Sequence, residues 1–228
     1  MKKTSLNLLL ALAVLNGCTS DPIEKGETCA IKVSGIEFTK SLNDAKSQAS
    51  IEGGKLVLNS KAKTDYFNEP DGTMSYSTAP VLLTKIDNSK PFTFTAKVTP
   101  TFTDTYDAGA MYVFLNKNWW FKFAFERDEL TRTRAVTVRT TETSDDNNHD
   151  VIDSTSTYMK ISSDTKTIGF YYSLDKKAWQ LVRLFRNDYP LETWIGVSTQ
   201  SPIGKGNSTI FEEFSLSQKS IKDFRMVI

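Results

Sequence analysis

Three groupings of residues have the types and spacing to do chemistry. The first is Glu126-Arg127-Asp128-Glu129-Leu130-Thr131. Glycoside hydrolysis needs two carboxylates about 5–9 Å apart across the scissile bond. A run of the form Glu-x-Asp-x-x-Glu would supply them, but Thr131 stands where the second Glu belongs. The second grouping is Asp146-x-Asn148-x-Asp150, the first three ligand positions of a calcium loop. Val151 replaces the glycine of the sharp turn and Thr157 the closing bidentate glutamate, so an EF-hand is excluded and only a looser calcium site stays open. The third grouping is Trp120, Lys122 and Glu126, with Arg134 on the strand that follows. A sugar offers an apolar ring face and a rim of hydroxyls, which an aromatic and charged hydrogen-bonding side chains suit.

These residues must be placed by strands. In Asn118–Glu126 the residues Trp119, Phe121, Phe123 and Phe125 recur every second position, with Trp120, Lys122, Ala124 and Glu126 between them. That period sends the first set to a core and the second to the opposite face. An antiparallel hairpin would then bring Arg132 or Arg134 beside the Lys122–Glu126 region. From Ala30 onward no convincing helix can be read. Runs rich in Val, Ile, Thr, Phe and Tyr alternate with Gly, Asn, Asp and Ser breaks, which predicts about twelve strands in a two-sheet antiparallel β-sandwich. Asn116-Lys117-Asn118 and Asp175-Lys176-Lys177 read as tight turns, and Pro70-Asp71-Gly72 as another. Thr143–Asp153 reads as the longest polar loop, with His149 a loop residue. Trp179 reads as core packing at one end of the sandwich.

The chain begins with Lys2 and Lys3, an apolar run from Leu6 to Leu15, and then Asn16-Gly17-Cys18. This predicts a secretory signal over residues 1–17, with Cys18 lipidated and residues 18–29 serving as a tether. Thr19 after Cys18 points to the outer membrane of a bacterial envelope. The domain proper is expected over residues 30–228. Loss of Lys2 and Lys3 moves the formal charge from +1 to −1, which argues against a nucleic-acid partner. Cys29 is then the only free thiol, so a hydrophobic core rather than a disulfide must hold the fold. A single histidine rules out a multi-histidine metal centre, and no Gly-rich phosphate loop suggests an organic cofactor.

Several segments together resemble the concanavalin A-like domain family labelled "regulation of enolase". Tyr172-Ser173-Leu174-Asp175-Lys176-Lys177-Ala178-Trp179, ending in Arg183, is similar to the family's Tyr-Ser-x-Asp-Gly-x-x-Trp run. Tyr106–Met111 resembles its Tyr-Asp-Gln-Ala-Gly-Leu-Met segment, and Trp120–Glu126 its Trp-x-Lys-x-Gly-x-Glu strand. Ile195-Gly196-Val197, Ser201-Pro202 and Phe211–Leu216 follow in the family's order. The resemblance covers about Thr64 to Ser217 and implies a jelly-roll of two packed sheets, a fold shared by lectins, glycan-binding modules and hydrolases. Two departures stand out: Lys176 replaces the turn glycine, and Ser144-Asp145-Asp146 replaces a Ser-Asp-Trp segment. The expectation is a non-catalytic carbohydrate-binding lipoprotein, using Trp120, Lys122, Glu126 and Arg134. A glycoside hydrolase or lyase, and a protein-interaction lipoprotein, are the alternatives.

Overall fold

The computed structural model describes residues 26–227; the leader and Cys18 lie outside them. Seventeen strands follow in chain order: β1 Glu27–Val33, β2 Ile36–Leu42, β3 Ala49–Glu52, β4 Lys55–Asn59, β5 Tyr66–Asn68, β6 Ser75–Ser77, β7 Val81–Asp87, β8 Phe92–Pro100, β9 Ala108–Asn116, β10 Trp119–Arg127, β11 Thr133–Thr141, β12 Thr143–Val151, β13 Thr157–Ser163, β14 Thr167–Ser173, β15 Gln180–Arg186, β16 Glu192–Gln200 and β17 Ser208–Ser217. One helical turn, Ala45–Gln48, joins β2 to β3. Sheet A has the order β1-β2-β7-β16-β9-β10-β11-β12 and sheet B the order β15-β14-β13-β8-β17-β4-β3. Every pairing is antiparallel, and the expected β-sandwich is what the chain forms.

The aromatic alternation of β10 sets the core. Phe121, Phe123 and Phe125 point from sheet A toward sheet B and are 0–2% exposed. Phe121 stacks on Phe185 of β15 with ring centroids 4.2 Å apart, and Phe123 on Phe170 of β14 at 5.2 Å. Burying each ring contributes about 1.5–3 kcal/mol. Close approach is also enforced at Gly196, on β16 between β7 and β9. A Cβ there would run into the Leu82 carbonyl of the neighbouring strand. Gly196→Ala is expected to cost about 3 kcal/mol by forcing apart two central strands, measurable as a lowered urea midpoint with an unchanged slope.

The structure corrects several boundaries. Residues 31–39 belong to two strands, because Ser34-Gly35 turns the chain with φ of 48° and 80°. β1 starts at Glu27, within the segment read as tether. Residues 143–151 are not a loop but β12, the edge strand paired to β11. Their polarity reflects exposure on both faces, not irregular backbone. The Asp175 turn follows its expected chemistry: Asp175 Oδ1 accepts from the amides of Lys177 and Ala178, each at 2.8 Å. Lys176 takes the glycine-like backbone that its position demands, with φ of 63°.

Candidate functional site

On β10 the alternate residues face away from sheet B, but not toward solvent. The β5–β6 hairpin lies across them as a separate two-stranded sheet. Tyr66 meets Trp120, Tyr112 and Phe114 edge-on at 5.8–6.2 Å. Asn68 anchors the hairpin to the β11–β12 end, its amide donating to Ser144 Oγ at 2.9 Å and its Nδ2 to Glu142 O at 2.7 Å. A second apolar layer results, comprising Leu42, Tyr66, Val81, Leu83, Tyr112 and Trp120 among others.

This arrangement corrects the stacking role expected of Trp120. Its ring is fully buried, and its Nε1 donates to Lys117 O at 3.2 Å. Lys122 is 2% exposed and donates to Tyr66 O at 2.8 Å and Gln200 Oε1 at 3.1 Å, with Asp65 Oδ1 at 3.4 Å. Gln200 passes the network on, its Nε2 donating to Glu126 Oε2 at 3.4 Å. Glu126 is 8% exposed. Burial pushes its carboxyl up to about 8; Lys122 opposes this, while Asp65, Asp146 and Glu129 add to it. The hairpin register sets Arg134 opposite Glu126 as expected, yet its Nε lies 3.4 Å from Asp128 Oδ2. Asp128 is committed to the β10–β11 turn, accepting from the Leu130 and Arg132 amides and from Arg132 Nε. The structure thus makes Trp120, Lys122 and Glu126 a closed support beneath the hairpin and sets Arg134 apart from them, beside the β10–β11 turn.

The acidic run also has a structural use. Asp146 and Asn148 lie on an extended strand, about 7 Å apart by strand rise. Asp150 turns toward sheet B, where Tyr172 OH donates to it at 3.0 Å. Asp145 pairs with Arg183 of β15 at 3.2 Å, and Arg183 also donates to Thr137 Oγ1. His149 Nε2 is 2.8 Å from that same hydroxyl. These contacts tie the two sheets together at their open edge. No group of three or more His, Cys, Asp or Glu side chains poised for a metal occurs among the described residues.

An aromatic platform does exist, on the outer face of sheet B. There the period-two alternation of β13 turns Met159 and Ile161 inward, and Tyr158 and Lys160 outward. The β14–β15 turn folds Trp179 over Lys160, whose Nζ sits 3.6 Å from the ring centroid. Trp179 is partly exposed and belongs to neither core layer, which corrects its reading as core packing. Tyr158 donates to Glu213 Oε1 at 2.8 Å, and Lys176 bonds Glu213 Oε2 at 3.0 Å. The C-terminal segment straps the adjoining part of the same face: Tyr171 OH donates to Phe224 O and the Ile221 amide to Ser162 Oγ. Trp179 and Lys160 come from segments 19 residues apart, and no local motif links them. The outward alternation of Tyr158 and Lys160 was the signal available.

The fold and this surface define a two-sheet antiparallel β-sandwich with an aromatic–cation platform on one outer face. The family described as "Protein of unknown function (DUF1349)" matches residues 42–219, and the chain belongs to it. No curated protein matches. Among solved structures, a functionally unknown protein from Saccharomyces cerevisiae is similar at a TM-score of 0.71 and 24% identity, over 78% of this chain and 95% of that one. The GH43 BlXynB protein from Bacillus licheniformis is similar at 0.61 and 14%, over 80% of this chain but only 36% of the hydrolase. Lectin I-B4 from Griffonia simplicifolia, in metal-free form, is similar at 0.52 and 13%, over 75% of this chain and 90% of the lectin. At these identities the likeness is one of fold.

Proposed function

We propose that this protein binds carbohydrate without cleaving it, at the Trp179 platform on sheet B. The observation that carries this reading is a partly exposed indole on the outer face of sheet B, outside both core layers and with Lys160 against its ring. A pyranose ring would lie against the indole, with its hydroxyls toward the polar side chains of the same sheet face. The lectin and the GH43 protein carry the same kind of sandwich scaffold, which supports this reading at the level of fold. Hydrolysis is disfavoured by the state of the best acid pair: Glu126 is enclosed beneath the hairpin and Asp128 is bound into its turn. The run Leu15-Asn16-Gly17-Cys18, after a basic start and an apolar stretch, supports a lipid-anchored position at the bacterial envelope. Cys18→Ala should release the protein from the membrane fraction.

Affinity electrophoresis of the purified chain through a panel of soluble polysaccharides tests the binding reading. Trp179→Ala is expected to weaken retention about tenfold, the loss of one stacking contact, with an unchanged circular-dichroism spectrum. Retention by no polysaccharide, or full retention by a folded Trp179→Ala variant, would reject it.

A further inference from the structure

We infer that His149, Thr137 and Arg183 form an acid-sensitive latch across the open edge of the sandwich, fastening β15 of sheet B to β11 and β12 of sheet A while the imidazole is neutral. The partners fix which atom carries which proton. Thr137 is fully enclosed, and its Oγ1 has Arg183 Nη1 at 3.1 Å and His149 Nε2 at 2.8 Å. A guanidinium can only donate, so the hydroxyl oxygen accepts from Arg183. Among the described residues the hydroxyl proton then has one acceptor, His149 Nε2. A ring nitrogen that accepts carries no proton, so the neutral imidazole keeps its hydrogen on Nδ1. Donation therefore runs one way, from Arg183 on β15 through Thr137 on β11 to His149 on β12.

Protonation reverses the last link. Nε2 becomes a donor, and the hydroxyl meets two donors with no acceptor for its own proton. A second positive charge also arrives beside Arg183. Burial opposes that charge most and lowers the ring from its ordinary 6.5; Arg183 and Arg134 add to this, and Asp150 acts against it. The other groups at this edge are already engaged: Asp150 accepts from Tyr172 OH at 3.0 Å, and Asp145 pairs with Arg183. The Asp145 side chain is 69% exposed, so that pair alone holds little once the inner bond is lost. β12 stays on β11 through its backbone ladder. What opens is the polar contact between the two sheets.

His149 is the only histidine in the chain, so its ring nitrogens can be followed without ambiguity. Long-range proton–nitrogen correlation spectra of the wild-type protein are expected to show the hydrogen on Nδ1 at pH 7.5 and a titration midpoint below 6.5. Arg183→Met removes the other end of the latch. At pH 7.5 it should raise the unfolding equilibrium constant about tenfold, the worth of one charge-assisted hydrogen bond. At pH 5 the factor should shrink to about twofold, that of an exposed ion pair. In a His149→Gln background, whose side-chain oxygen accepts from Thr137 at either pH, the factor should be the same at both. Glu126 titrates alike in every chain compared and cancels from these ratios. A hydrogen on Nε2 at pH 7.5, or a midpoint at or above 6.5, would overturn the inference. So would an Arg183→Met factor in wild type that does not change between pH 7.5 and pH 5. The spectra need no variant, so they decide the matter even where Arg183→Met does not fold.

Discussion

Replacing Lys122 by alanine is expected to remove about 3–5 kcal/mol of stability, because it breaks a buried charged network by taking out its central donor. The loss is largest here because Lys122 serves two layers at once. Its ammonium donates to Tyr66 O on the hairpin and to Gln200 Oε1 on β16, and it lies beside Asp65. Without it, those acceptors lie under the hairpin with no donor, and Glu126 loses the cation that opposes its burial. The effect should also be uneven. The amides of Tyr66–Ser77 should lose hydrogen-exchange protection before those of β9 and β10, because the hairpin is a separate small sheet held from one side. A urea titration giving a loss under about 1 kcal/mol would show that the network is not what holds the hairpin.

Stability is expected to fall as pH rises from about 4.5 to about 8, by on the order of 5 kcal/mol at full effect, because of Glu126. Its carboxyl is raised from the ordinary 4.5 to about 8 in the folded protein. Between those values the folded state holds a proton that the unfolded state has released, so the contribution is complete below 4.5 and lost on passing 8. His149, lowered chiefly by burial, acts in the opposite sense and favours the fold as pH rises toward 6.5. The comparison with Glu126→Gln separates the two. The variant keeps an amide oxygen for Gln200 Nε2, so it should fold, and the falling limb should flatten. Guanidinium denaturation at pH 5, 6.5 and 8 on both proteins measures it. Parallel curves would place the proton elsewhere.

The sandwich was legible because β10 and its neighbours are half-buried strands whose side chains alternate in type. Phe121, Phe123 and Phe125 point inward as their spacing says, and the two-sheet antiparallel sandwich formed. What the alternation hid was which faces have a second cover. Lys122 and Glu126 look like solvent-facing residues, and only the distant hairpin at Tyr66–Ser77 makes them interior. Those strands are three residues each, too short to leave a period. Residues 143–151 failed for another reason: an edge strand exposed on both faces has no apolar alternation to read. At the candidate site, the turn around Asp175 could be read, but not the direction in which it carries Trp179.

The edge strand β12 has a consequence for how the protein behaves at high concentration. A free strand edge is an invitation to pair with another chain. Here the last strand of the larger sheet carries Asp145, Asp146 and Asp150 within a run of nine residues. Two such edges meeting would bring like charges together along their whole length. A polar, acidic run of this kind disfavours the addition of a further strand at the sheet edge. Neutralising it with Asp145→Asn, Asp146→Asn and Asp150→Asn would make the protein self-associate through sheet extension, with the platform on the opposite sheet left unoccupied.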